Sequence, residues 1–144
     1  MIPPLNALGL LPPGIHDATW GELEAVFGYN ADRQKLLAGL RRFLEDLRNA
    51  GATVAYVDGS FVTSKPVPGD FDGCWEATGV DASKLPPEAL DFSPGRPKQK
   101  AKYGGEMFVA HWPGSRSGES FLKFFQQDRS GRPKGVLRVN LHSL

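Results

Sequence analysis

The segment Asp58-Gly59-Ser60-Phe61-Val62-Thr63-Ser64-Lys65-Pro66-Val67-Pro68-Gly69-Asp70-Phe71-Asp72 holds the residues best suited to chemistry. With Phe71 turned into a core, the two-residue period of a strand puts Asp70 and Asp72 on the opposite face, their Cβ atoms about 7 Å apart. Two carboxylates at that separation can converge on a hard cation, and Mg²⁺ is commonly held by one or two carboxylates plus substrate phosphates. Upstream, Gly59 lets the backbone approach a ligand closely, and the amides of a glycine turn form an anion-binding concavity with the Ser60 hydroxyl. A phosphate seat thus precedes a metal seat along the chain.

Two strands and a turn must position these groups. Thr53 to Val57 is β-branched and apolar enough for a buried strand and runs straight into Asp58-Gly59-Ser60. Phe71 to Glu76 reads as the next strand, after the Pro66-Val67-Pro68-Gly69 turn. Before them, Thr19 and Glu22 form a capping-box pattern for a helix over 20–27. Asn30 caps a longer helix in which Leu36, Leu37, Leu40, Phe43, Leu44 and Leu47 recur at three- and four-residue intervals until Gly51. Residues 77–105 read mostly as loop, with a helical turn near Pro86 to Leu90. Glu106 to Trp112 and Leu137 to Leu141 alternate as strands, and Phe121, Phe124 and Phe125 give a helical apolar face expected in the core. Helices followed by strands with a helix between them give an α+β fold: a small mixed or antiparallel sheet flanked by helices.

The order strand, Gly59-Ser60, nine residues, Asp70-Phe71-Asp72 resembles the signature of the DNA polymerase β-like nucleotidyltransferase superfamily. Within it the chain is similar to small, single-domain, minimal nucleotidyltransferase-like proteins of bacteria and their phages. Further resemblance to one uncharacterised family of this kind lies in Leu11-Pro12-Pro13-Gly14-Ile15-His16, Asp58-Gly59-Ser60-Phe61, Phe124-Phe125-Gln126 and Lys134-Gly135. The resemblance implies a nucleotidyltransferase-like fold in which Gly59 and Ser60 hold the β- and γ-phosphates of a nucleoside triphosphate. Asp70 and Asp72 then bind Mg²⁺ or Mn²⁺, which bridges those phosphates. Lys65, in the spacer, is placed to assist with the phosphates. A third acid normally completes such a site; Glu106 is the candidate, with Glu76 and Asp91 as competitors. Val62, Thr63 and Ser64 stand where the superfamily usually has Ala-x-Gly.

Composition bounds the rest. A chain of 144 residues suits one domain, read as a Pro-rich arm over 1–18 laid on a nucleotidyltransferase-like domain over 19–144. With 17 Lys+Arg against 16 Asp+Glu, global charge favours no polyanion, so only local patches argue for one. Arg96, Lys98, Lys100 and Lys102 are read either as a groove for triphosphate or RNA or as a solvated loop. One cysteine, Cys74, expected to pack inward, and three histidines exclude a disulfide framework and a Cys/His zinc pattern. His16 and His111 are read as satisfying local hydrogen bonds. The first residues lack the basic and apolar regions of a signal peptide, and no apolar stretch approaches the ~20 residues of a membrane span. The expectation is a cytoplasmic protein with no membrane contact. Its expected activity is transfer of a nucleotide to an RNA or protein acceptor, with a toxin–antitoxin or defence role, and a partner antitoxin or toxin, implied only by the company such families keep. The alternative is a catalytically degenerate module that binds a partner protein through its arm.

Overall fold

A computed structural model describes residues 1–114 and 118–144. Five strands form one mixed sheet: β1 (Gly14–Ala18), β2 (Val54–Asp58), β3 (Phe71–Trp75), β4 (Gly105–Val109) and β5 (Gly135–Asn140). They lie in the order β1-β5-β2-β3-β4. The outer pairs, β1 with β5 and β3 with β4, are parallel, and β2 runs antiparallel to both its neighbours. This is the α+β architecture that the sequence pattern predicts.

Helices α1 (Trp20–Phe27) and α2 (Ala31–Asn49) cover one face of the sheet. The capping box at Thr19 and Glu22 is present, and Asn30 caps α2 by accepting from the Arg33 amide. Leu40, Phe43, Leu44 and Leu47 of α2 are fully buried with Val57, Phe71, Met107 and Leu137 of the sheet. Because strands alternate, the neighbours of those sheet residues point the other way. Tyr56, Cys74 and Val136 form a smaller cluster on that second face under Phe121, Leu122 and Phe125. Among the described residues, no helix is long and apolar enough to cross a membrane.

Two expectations change. The Pro-rich pattern extends the arm through residues 14–18, but these form β1, because an extended Gly-Ile-His-Asp-Ala segment can add to the open edge of β5 in register from Gly14↔Gly135. Residues 97–103, read as loop, form α3 (Pro97–Tyr103), the link that carries the chain from β3 back to a parallel β4. Its lysines mask the helical signal, since only Gln99 and Tyr103 are buried. α3 packs tightly on α2: a Cβ at Gly39 would lie 1.7 Å from the Tyr103 carbonyl oxygen, so only glycine permits this approach.

The loop after β2 is held by a buried cation of α2 for which the sequence pattern gives no signal. Arg33 is fully buried. Its guanidinium donates to the carbonyls of Phe27 (3.2 Å), Phe61 (2.7 Å), Thr63 (2.7 Å) and Lys65. It also lies over the Tyr29 and Phe61 rings, at 4.8 and 5.2 Å. Three of those carbonyls belong to the loop that follows Gly59-Ser60, so one side chain fixes the path of that loop. Replacing Arg33 with Met leaves four carbonyls short of a donor and is expected to cost about 3 kcal/mol of stability in urea unfolding. Arg33→Lys is expected to recover less than half, because one ammonium cannot reach the carbonyls that the planar fork spans. An unchanged unfolding midpoint for Arg33→Met would contradict this role.

Candidate functional site

Asp58 ends β2, Asp72 is the second residue of β3 and Glu106 the second of β4. The register pairs Asp58 with Asp72 and Asp72 with Glu106. Three acidic side chains therefore stand side by side across three strands, on the face turned away from α1 and α2, at the ~4.8 Å strand spacing. Asp70 precedes Asp72 by two residues while Phe71 between them is fully buried, so both aspartates face the same way, as their spacing predicts. The glycine turn lies directly against them. Gly59 has φ +82°, and a Cβ there would fall 2.4 Å from Asp72 Oδ2. Both the backbone angle and the close approach demand glycine.

Gly59, Ser60, Lys65, Asp58, Asp70, Asp72 and Glu106 all line one open cleft of about 1060 Å³. Its opposite wall comes from α4 (Phe121–Phe124) and from residues 127–133, a loop closed by a bridge between Gln127 and Pro133. Of the phenylalanines expected in the core, Phe121 and Phe125 pack on the second-face cluster, Phe125 also edging this cleft, whereas Phe124 lines the cleft and is 43% exposed. α4 is a single turn at the sheet's rim, so its outer rings have nothing further to pack on.

Charge is distributed unevenly along the row. Lys134 Nζ is 3.1 Å from Asp58 at one end, and Arg96 Nε is 2.7 Å from Glu106 at the other, with Lys100 3.7 Å from the same oxygen. Among the described residues, no cationic group lies within ion-pair distance of Asp70 or Asp72. Burial, reinforced by the charges of Asp70, Glu106 and Asp58 and by a hydrogen bond with Glu106, pushes the Asp72 carboxyl up to about 7. Burial also raises Asp70 and Asp58, opposed at Asp70 by Lys100 and Lys65 and at Asp58 by Lys134. Both Asp58 oxygens are held by the Lys134 ammonium, 3.1 Å from Oδ1 as an ion pair and 3.1 Å from Oδ2 as a hydrogen bond.

The protein thus neutralises the outer acids and leaves the inner pair short of positive charge. The hard oxygen donors of Asp70 and Asp72, short of positive charge, fit a divalent cation such as Mg²⁺. Among the described residues no three His, Cys, Asp or Glu side chains already converge on one point. A cation here would meet two carboxylates and would need further oxygens from a ligand or solvent, since the described residues form no closed cage.

Glu76 and Asp91 are not brought to this row. Glu76 accepts from the Tyr56 hydroxyl (2.7 Å), and Asp91 accepts from the Ser93 and Lys98 amides. Cys74 packs inward, its thiol pushed up by burial. His16 bonds the Pro12 carbonyl (2.7 Å), as expected. Sequence reading gave no role to Asp58, although the alternation of Tyr56 and Asp58 against Ala55 and Val57 could have placed it on the site face. The pairing of Lys134 with Asp58, 76 residues apart, left no local signal.

The chain belongs to a family described as of unknown function (DUF6932), whose model matches residues 3–140. Comparison with curated proteins and with solved structures finds no match.

The crowded carboxylates carry a stability cost that depends on pH. A carboxyl raised in the folded state destabilises the fold as pH climbs from its unfolded value near 4 through its folded value near 7. Asp72→Asn cannot ionise, and in metal-free buffer at pH 8 it is expected to be more stable than the parent by about 1–2 kcal/mol. The gain should shrink as pH falls and vanish near pH 4. Thermal melts across that range check this; a variant less stable than the parent at pH 8 would show that Asp72 is not repelled by its neighbours.

Proposed function

We propose that this member of the family is a divalent-cation-dependent nucleotidyltransferase that binds a nucleoside triphosphate in the cleft and transfers its nucleotide to an acceptor hydroxyl. The observation that carries the reading is the uncompensated Asp70–Asp72 pair set against the Gly59 turn. Asp70 and Asp72 would hold Mg²⁺ or Mn²⁺, which when bound supplies neutralisation of phosphate charge. The Gly59-Ser60 turn offers backbone and hydroxyl donors to the phosphates, and Lys65 borders the same cleft as a mobile point charge, while Lys134 beside it is held by Asp58. Arg33 holds the loop that carries Thr63 and Lys65, so the phosphate side is set before ligand arrives. In the transfer, the acceptor oxygen bonds to the α-phosphorus, the bond to the bridging oxygen breaks, and pyrophosphate leaves with that oxygen. The hydroxyl proton passes to a carboxylate of the row.

One observation favours the second reading, a degenerate module. Glu106, the third acid, is tied to Arg96 and Lys100, and an acid so engaged neither binds metal nor takes a proton until it is released. Incubation with labelled triphosphates, RNA and cell extract separates the two, since a degenerate module transfers no label even with Mn²⁺.

Calorimetry with a non-hydrolysable triphosphate tests the binding step. Wild-type protein should bind only with Mg²⁺ or Mn²⁺ present, and Asp70→Asn/Asp72→Asn should abolish that binding. Ser60→Ala should weaken it about tenfold or more, the worth of one hydrogen bond to a charged group at about 1.5 kcal/mol or above. Unchanged binding by the double variant would overturn the site.

A further inference from the structure

Beside the carboxylate cleft runs a second groove, of about 570 Å³, between α2 and α3. Lys35 and Arg42 of α2 and Lys100 and Lys102 of α3 line it, against one acid, Asp32. In a chain with nearly balanced charge, these cations are gathered by folding, since the two helices are far apart in sequence; Lys100 and Lys102 are partly engaged by Glu106 and Glu88, while Lys35 and Arg42 have no carboxylate partner among the described residues. Lys35 and Arg42 are seven residues apart, so they share a face of α2 about 10 Å apart along its axis. Arg42 Nη1 donates to the Lys102 carbonyl (3.1 Å), which ties the two walls together, while Lys102 Nζ also meets Glu88 at 3.5 Å.

The groove and the cleft adjoin at one residue. Gly69, immediately before Asp70, lines both. Lys100 lines the groove while standing 3.7 Å from Glu106, and its charge acts on Asp70. An anion lying along the groove therefore ends at the acidic row.

We propose that this groove holds the sugar–phosphate backbone of a polynucleotide acceptor strand and delivers its end to the cleft. The inference rests on the nucleotidyltransferase reading and names the acceptor class that the reading leaves open. Cations spread over two helical turns match a repeating anion better than a single triphosphate, which needs its cations gathered at one point. Lys and Arg supply most contacts to nucleic-acid phosphates. The wall opposite them carries Val67, 57% exposed in the loop just before Gly69, an apolar surface for sugar or base. Both features set a nucleic acid above an acidic peptide as the occupant.

The test is equilibrium binding of a fluorescein-labelled single-stranded RNA of about twelve nucleotides, followed by anisotropy at several salt concentrations, with DNA of the same sequence in parallel. Wild-type protein should bind at least one of the two, the tighter one identifying the sugar. Lys35→Ala/Arg42→Ala should weaken binding at least tenfold and lower the slope of log affinity against log salt by about 1.4, two contacts at roughly 0.7 each on a single strand. Lys35→Glu alone changes an exposed side chain and serves if loss of Arg42 loosens α3; it should also weaken binding and flatten the slope. The proposal is overturned if wild-type protein binds neither oligonucleotide, if the variants bind as tightly as wild type, or if polyglutamate takes the groove with the same dependence on Lys35. Because the readout is oligonucleotide binding, its failure is distinct from a failure of triphosphate binding in the calorimetry.

Discussion

Like charges held close together in a poorly hydrated place govern this molecule. Asp58, Asp72 and Glu106 occupy adjacent register positions on three neighbouring strands, and Asp70 joins them from the approach to β3. Such a row persists only if the surrounding fold supplies enough favourable burial to outweigh the repulsion. Here the fold adds cations at the two ends, Lys134 on Asp58 and Arg96 with Lys100 on Glu106, and none in the middle. A protein selected only for stability would have no use for this pattern, since apolar side chains on the same face would pack at lower cost. On the proposed function, the pattern is a seat for a cation that arrives from outside, with phosphate oxygens to complete it.

The rest of the architecture serves to keep that row and the neighbouring turn in place. α1 and α2 anchor the sheet from behind, so the site face is left free for polar groups. Gly59 brings the backbone against Asp72, and Arg33 pins the loop beyond it by satisfying carbonyls that would otherwise be stranded. Arg96 shows a related economy on the far side. It is the one non-glycine residue with positive φ among the described residues, at 44°, and it precedes Pro97, where that backbone is further disfavoured. Its bond to Glu106 and its place 5.0 Å over the Phe108 ring offset that strain.

What was legible in the sequence was local. The periodicity of α2 and its Asn30 cap, the capping box of α1, and the strand–turn–strand run from Thr53 to Asp72 each write their geometry within a few residues, and each is found where the pattern puts it. The facing of Asp70 and Asp72 followed from Phe71 being apolar. What was not legible depended on distant pairing. β1 is a strand only because β5 offers an edge, α3 looks like a solvated charge run until α2 lies against it, and Phe124 reads as core until its turn is placed at the rim. Asp58 and Lys134, and Glu106 and Arg96, acquire their roles from contacts across the sheet face that no spacing along the chain encodes. The basic groove is of the same kind, since half of its cations come from each of two helices.

On the proposed function, the gap in positive charge between Lys134 and Arg96 is a metal seat. Anomalous diffraction from crystals grown with Mn²⁺ and a non-hydrolysable triphosphate tests it most directly. The account predicts a strong Mn²⁺ peak within coordinating distance of both the Asp70 and Asp72 carboxylates, with the phosphates against the Gly59-Ser60 turn. A bound triphosphate with its Mn²⁺ elsewhere, or a row of acids bridged by its own lysines and arginines with no Mn²⁺ among them, would contradict it.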